Sequence, residues 1–113
     1  MRKIKIKLGN KIISKNANLL KNPFEKTLGM MFWKRGDFLL KNSSESIFMS
    51  AIHTCFCNPL LVVWLDKNLK VVDVKKTKPY RKYSSKKPAM YVFETTDLNK
   101  KIRVGNKFKI VEA

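Results

Sequence analysis

The run Leu61-Val62-Val63-Trp64-Leu65 constrains the fold most. It is a short, continuous apolar stretch, the pattern of a buried β-strand. Asp66-Lys67-Asn68 follows as turn material, and Leu69 to Val74 runs back with Leu69, Val71 and Val74 expected inward. This pair is the clearest hairpin in the chain. The full length of 113 residues points to one domain, 1–113, large enough to bury a modest core without disulfide or metal staples.

The remaining pattern is also strand-like. Arg2 to Leu8 alternates basic and aliphatic residues, with Lys3, Lys5 and Lys7 outward and Ile4, Ile6 and Leu8 inward. Gly9-Asn10 breaks the run, and Lys11 to Ser14 returns as a second strand. Phe38-Leu39-Leu40 and Ser46 to His53 read as strands around a polar loop, Lys41 to Glu45. Ala89 to Thr95 and Lys107 to Val111 complete the set, the last after a Val104-Gly105-Asn106 turn. A single helix is expected. Asn22 can cap, Pro23 suits the first helical position, Glu25 sits where a capping-box acid belongs, and Gly29 can end the helix after about two turns. Met30 to Trp33 are expected in the core. The expected fold class is therefore mostly β (α+β): a small antiparallel β barrel or rolled sheet with one short helix.

Charge narrows the partners. There are 25 Lys plus Arg against 8 Asp plus Glu, a net charge of +17. No run approaches the roughly 18 apolar residues that span a bilayer. The alternating N-terminus lacks the apolar stretch of a secretory signal, so the chain is expected to be cytoplasmic, with free thiols at Cys55 and Cys57. No amphipathic helix is present for membrane insertion.

The densest positive charge lies between Lys75 and Lys87. Lys75, Lys76, Lys78, Arg81, Lys82, Lys86 and Lys87 place seven cations in 13 residues without an acid, interleaved with Tyr80 and Tyr83. The segment reads as a loop without periodicity. Cations that neutralise phosphates release counterions and give salt-sensitive binding, and tyrosines beside them can stack on unpaired bases. Only four of the 25 cations are Arg. Lys lacks the bidentate fork that reads base edges, which favours backbone contact over sequence readout. The alternative is a solvated loop in a Lys-rich chain. Lys3, Lys5 and Lys7, with Lys100, Lys101 and Arg103, add further charge, but the sequence does not say whether they join the loop.

His53, Cys55 and Cys57 form an H-x-C-x-C pattern whose side chains share one face of a regular strand. Such soft ligands suit Zn²⁺ or Cu⁺, but the chain holds no further His or Cys, and a closed structural site takes four ligands. Cys55 and Cys57 are therefore read as small core hydrophobes and His53 as a half-buried residue, with no metal ligand assigned. No phosphate-cradling Gly loop, H-E-x-x-H or defensible acid pair occurs. No catalytic residue and no cofactor are assigned, and enzymatic activity has no positive support.

The order Leu28-Gly29-Met30-Met31-Phe32, Phe38-Leu39-Leu40, Ile52-His53-Thr54, Pro59 to Asp66 and Val104-Gly105-Asn106 resembles the domain-of-unknown-function 192 family in its archaeal-like form, over roughly Asn18 to Val111. The chain departs from that pattern at Leu61, where the family usually carries an acid, and at Phe56 or Cys57, where it carries a methionine. The resemblance implies a fold and no chemistry. The primary functional expectation is a basic, non-enzymatic domain that binds RNA or an RNA-containing assembly through phosphates. The alternative is a small-ligand or metal-binding β domain with a pocket near His53, Cys55 and Met31. A third reading is a scaffold for an acidic protein partner.

Overall fold

The computed structural model describes residues 2–21, 36–47, 50, 52–53, 59–78 and 81–112. The expected helix at Asn22–Gly29, the Met30–Trp33 segment and both cysteines lie outside the described residues. Among the described residues there are nine strands and no helix. β1 (Arg2–Leu8) and β2 (Lys11–Leu20) form the first hairpin. Its two-residue turn needs a left-handed backbone, which Gly9 supplies at φ +63°. β3 (Asp37–Ser46), β4 (Ile52–His53), β5 (Leu61–Leu65), β6 (Val71–Lys76), β7 (Lys82–Tyr83), β8 (Ala89–Thr95) and β9 (Phe108–Glu112) follow.

Seven strands make one sheet in the order β6-β5-β8-β3-β2-β1-β9. Every pair is antiparallel except β2 with β3, which run parallel from Asn18↔Phe38 to Leu20↔Leu40. The sheet curls into a half barrel, and its two edges are tied at one end. Lys70 bridges Lys107, the Val71 amide donates to Asn106 O at 2.7 Å, and the Phe108 amide donates to Leu69 O at 2.9 Å. This seam satisfies part of two edges that would otherwise be open to pairing with other chains.

The concave face encloses the larger core, with Ile4, Ile6, Leu39, Val63, Leu65 and Phe93 fully buried. Phe93 and Phe108 meet edge-on across it, with ring centroids 5.6 Å apart and planes at 80°. A second apolar cluster forms on the opposite face of β3, β5 and β8, from Leu40, Val62, Trp64 and Val92. The β4–β7 ribbon covers it with Ile52 and Tyr83. β5 is therefore buried on both faces: Leu61, Val63 and Leu65 enter the first core, and Val62 and Trp64 enter the second. This two-sided burial accounts for the unbroken apolar run.

β6 shows how the expected inward trio is achieved. Leu65 pairs with Val71, Trp64 with Asp73 and Val63 with Val74, so one extra residue bulges out of β6. The bulge resets the alternation. Leu69, Val71 and Val74 all reach the first core, as expected, while Asp73 and Lys75 fall on the Trp64 side.

Three expected boundaries change. β2 continues past Ser14 to Leu20 because Ala17, Leu19 and Leu20 are buried. The polar stretch Lys41 to Glu45 lies within β3 rather than in a loop, although the register with β8 jumps from Lys41↔Tyr91 to Ser46↔Ala89, so four residues of β3 stand against one of β8. In place of a strand from Ser46 to His53, β3 ends at Ser46 and a turn follows. There Ser50 Oγ donates to Ser46 O at 2.5 Å, and the Trp64 indole N–H donates to Ser50 O at 2.8 Å.

Leu65→Ala removes a fully buried side chain from the first core and is expected to lower stability by about 2–5 kcal/mol in urea titrations. Ile12→Ala, at a position 41% exposed, should change it by no more than about 0.5 kcal/mol.

Candidate nucleic-acid interface

The basic segment is anchored to the barrel by Asp73, a buried acid on β6. Asp73 Oδ1 accepts from the Val74 amide at 2.9 Å, and Oδ2 accepts from the Lys86 amide at 3.0 Å. Lys75 Nζ lies 3.7 Å from the same Oδ2, donates to Ser84 O at 2.6 Å and sits 5.5 Å over the Trp64 ring. One ammonium thus joins an acid, a carbonyl and an aromatic face. The Lys87 amide donates to Ser85 Oγ at 3.2 Å. Residues 84–87 consequently fold back along β6.

The other end of the segment is equally fixed. Thr77 and Leu60 exchange backbone and side-chain bonds, with Thr77 N to Leu60 O at 2.8 Å and Leu60 N to Thr77 Oγ1 at 3.1 Å. The Lys78 amide donates to the Tyr83 hydroxyl at 2.9 Å. Tyr83 is half-buried against the second core and pairs with Ile52, while Lys82 pairs with His53. The segment expected to be an irregular loop therefore contains the end of β6 and all of β7.

The predicted site residues divide into three groups. Lys75 and Tyr83 have internal structural roles. Lys76, Lys82, Lys86 and Lys87 are exposed, as are Lys78 and Arg81, which also hold contacts within the chain. Tyr80 lies outside the described residues, as do Cys55 and Met31 of the alternative pocket. His53 is placed by its backbone in β4. Among the described residues, no cluster of His, Cys, Asp and Glu is arranged to hold a metal ion, and no helix is long and apolar enough to cross a membrane.

One buried acid was not singled out in the sequence. Glu94 lies on β8 between Phe38 of β3 and Val62 of β5, and is only 7% exposed. Burial pushes its carboxyl from 4.5 up to about 7. The available signal was an acid inside the strand Ala89-Met90-Tyr91-Val92-Phe93-Glu94-Thr95, two residues from Val92 on the same face.

No protein-family model matches the chain. UPF0127 protein TK1120 from Thermococcus kodakarensis is 34% identical over 70 residues, covering 53% of this chain and 45% of the relative. The match therefore spans about half of that relative's length, and the relative belongs to an uncharacterised family. Two solved structures share the fold. A protein of unknown function from Novosphingobium aromaticivorans superposes with a TM-score of 0.73 at 14% identity, over 95% of this chain and 83% of that one. A protein from Sinorhizobium meliloti, described as a proposed transcription regulator, gives 0.70 at 13% identity, over 96% and 92%. These likenesses establish the fold.

Glu94 imposes a pH dependence of definite sign. The unfolded chain releases this proton near pH 4.5, whereas the folded chain keeps it to about pH 7. Below pH 4.5 both states hold the proton and ionisation costs nothing. Between about 4.5 and 7 the folded state loses stability, to a total of about 3 kcal/mol. Glu94→Gln should lack this component, so the variant's stability advantage in urea titrations should grow from pH 5 to pH 7.5. An advantage that does not change with pH would contradict it.

Proposed function

We propose that this is a basic, non-enzymatic cytoplasmic domain that binds RNA, or an assembly containing RNA, through phosphate contacts. The observation that carries the reading is the fixed presentation of the described residues of the basic segment, 75–78 and 81–87. Asp73, Thr77 and Tyr83 hold its backbone, while Lys76, Lys78, Arg81, Lys82, Lys86 and Lys87 remain at the surface. A held row of cations loses less conformational freedom on binding than a free loop does. In this reading Lys75 and Tyr83 brace the segment, and the stacking role falls to Tyr80. The description of the Sinorhizobium meliloti structure as a proposed transcription regulator is compatible with a nucleic-acid role for the fold. The motif order further supports placing the chain with the domain-of-unknown-function 192 family.

Reversing Lys76, Lys78, Lys82 and Lys86 to Glu tests the reading. If these four contact phosphates, the parent's log affinity for RNA should fall against log salt with a slope of about −3 to −4 from this segment alone. The variant should lose most of its binding and keep its unfolding midpoint, because exposed side chains carry little packing energy. Binding equal to the parent's at about 0.15 M salt, near the physiological ionic strength, would refute it.

A further inference from the structure

The fold brings several of the cations outside the basic segment together. Register places Lys7 of β1 directly opposite Lys109 of β9. Lys107 lies two residues before Lys109 and so shares its outward face. Lys107 in turn bridges Lys70, the contact that ties the two edges of the sheet. Lys70, Lys107, Lys109 and Lys7 therefore run in one line across the outside of the seam, and Lys5 and Lys3 extend it along β1.

This line joins the basic segment. Lys70 and Lys87 line one cleft of about 440 Å³ together with Gly105. Gly105 also lines the adjoining cleft of about 700 Å³, which holds Lys107 and Lys109. Two acids, Glu45 and Asp66, border the first cleft. Both cap the β5–β6 turn: Asp66 Oδ1 accepts from the Asn68 and Lys70 amides, and Glu45 Oε2 accepts from the Lys67 amide. None of the seam ammonium groups is ion-paired with a described acid.

Two like-charged pairs face each other across strands here, Lys7 with Lys109 and Lys70 with Lys107. Such pairs are unfavourable in the protein alone. Lysines two apart on a strand stand about 7 Å from each other, inside the screening length of about 8 Å at physiological salt. They repel one another and act together on a nearby anion. Rigid strands hold the row at a fixed spacing, which suits a ligand that is itself a regular row of phosphates. The described aromatic rings are turned away from the seam: Phe93 and Phe108 are in the first core, and Tyr83 packs on the second. A stacking platform for unpaired bases is therefore lacking among the described seam residues, and backbone contact remains.

Building on the RNA reading, we propose that the seam is a second phosphate-contact surface continuous with the basic segment, and that the ligand it fits is double-helical RNA. An A-form duplex presents phosphates along both rims of a wide, shallow minor groove and is recognised chiefly by shape and backbone. The two basic regions would meet successive phosphates on a single helix.

The test compares the parent, the Lys76/Lys78/Lys82/Lys86→Glu variant and a Lys7/Lys70/Lys107/Lys109→Gln variant. Fluorescence anisotropy is measured against a mixed-sequence RNA duplex of about 16 base pairs and against one of its single strands. The seam variant should bind duplex at least about tenfold more weakly near 0.15 M salt and lose about 3 to 4 units of salt slope. It should lose much less single-strand affinity. Its unfolding midpoint should stay or rise, because two repelling pairs are neutralised. Neutralising exposed Lys15, Lys21 and Lys101 to Gln should cost less per charge. Duplex binding equal to the parent's, while the loop variant fails to bind, would overturn the seam and leave the RNA reading standing. Equal loss per charge at the control positions, equal loss for single strand and duplex, or displacement of RNA by poly-glutamate at equal charge concentration would also overturn the seam assignment. A parent that binds neither RNA would overturn both readings.

Discussion

Burial of β5 on both faces is the constraint from which the rest of the structure follows. A strand with one buried face needs one core; Leu61 to Leu65 need two. The concave side is supplied by the curl of the sheet. The convex side needs a separate cover, and the β4–β7 ribbon provides part of it through Ile52 and Tyr83. Trp64 then makes the cover specific, because its indole N–H requires a buried acceptor and finds Ser50 O. The same ring attracts Lys75. The basic segment is thus held to the barrel partly through Trp64 of β5, beside the bonds of Asp73, Thr77 and Tyr83.

Most of the eight acids are engaged in contacts within the fold. Asp73 and Asp66 satisfy amides of the segment and of the β5–β6 turn, and Glu45 caps the same turn. Asp37 accepts from Ser14 Oγ at 2.5 Å and lies 4.0 Å from Lys100, which also donates to Ile13 O and lies 3.9 Å from Asp97. Glu94 is withdrawn into the second core. Asp73, Asp66, Glu45 and Asp37 therefore brace the fold, whereas ionised Glu94 costs it stability. The excess of 25 Lys plus Arg over 8 Asp plus Glu leaves a field of one sign around the fold.

Much of the fold was legible because its signals are local. The period of two in Arg2–Leu8, the turn at Gly9-Asn10 and the hairpin around Asp66-Lys67-Asn68 each follow from a few neighbouring residues. What was not legible depends on distant partners. The extension of β3 through Lys41 to Glu45 is flanked by pairs with β8, Lys41↔Tyr91 and Ser46↔Ala89, some fifty residues later. Val71 and Val74 were both expected inward, but the bulge in β6 that lets both face the core was not. The burial of Glu94 follows from its place between β3 and β5. The charge density of Lys75 to Lys87 was visible, but the bracing roles of Lys75 and Tyr83 were not, since both depend on tertiary neighbours. Nor could the sequence show that Lys7 and Lys109, about a hundred residues apart, lie opposite each other.

The central claim is that one continuous basic surface contacts an RNA backbone. Amide chemical-shift mapping during titration with duplex RNA tests it most directly, because it reports position without altering any residue. The largest perturbations should fall on residues 76–78 and 81–87 and on Lys7, Lys70, Lys107 and Lys109, with little change around Asp37 and Lys100 on the β2–β3 side. Perturbations centred on Asp37 and Lys100, or weak shifts spread evenly over all exposed lysines, would contradict it.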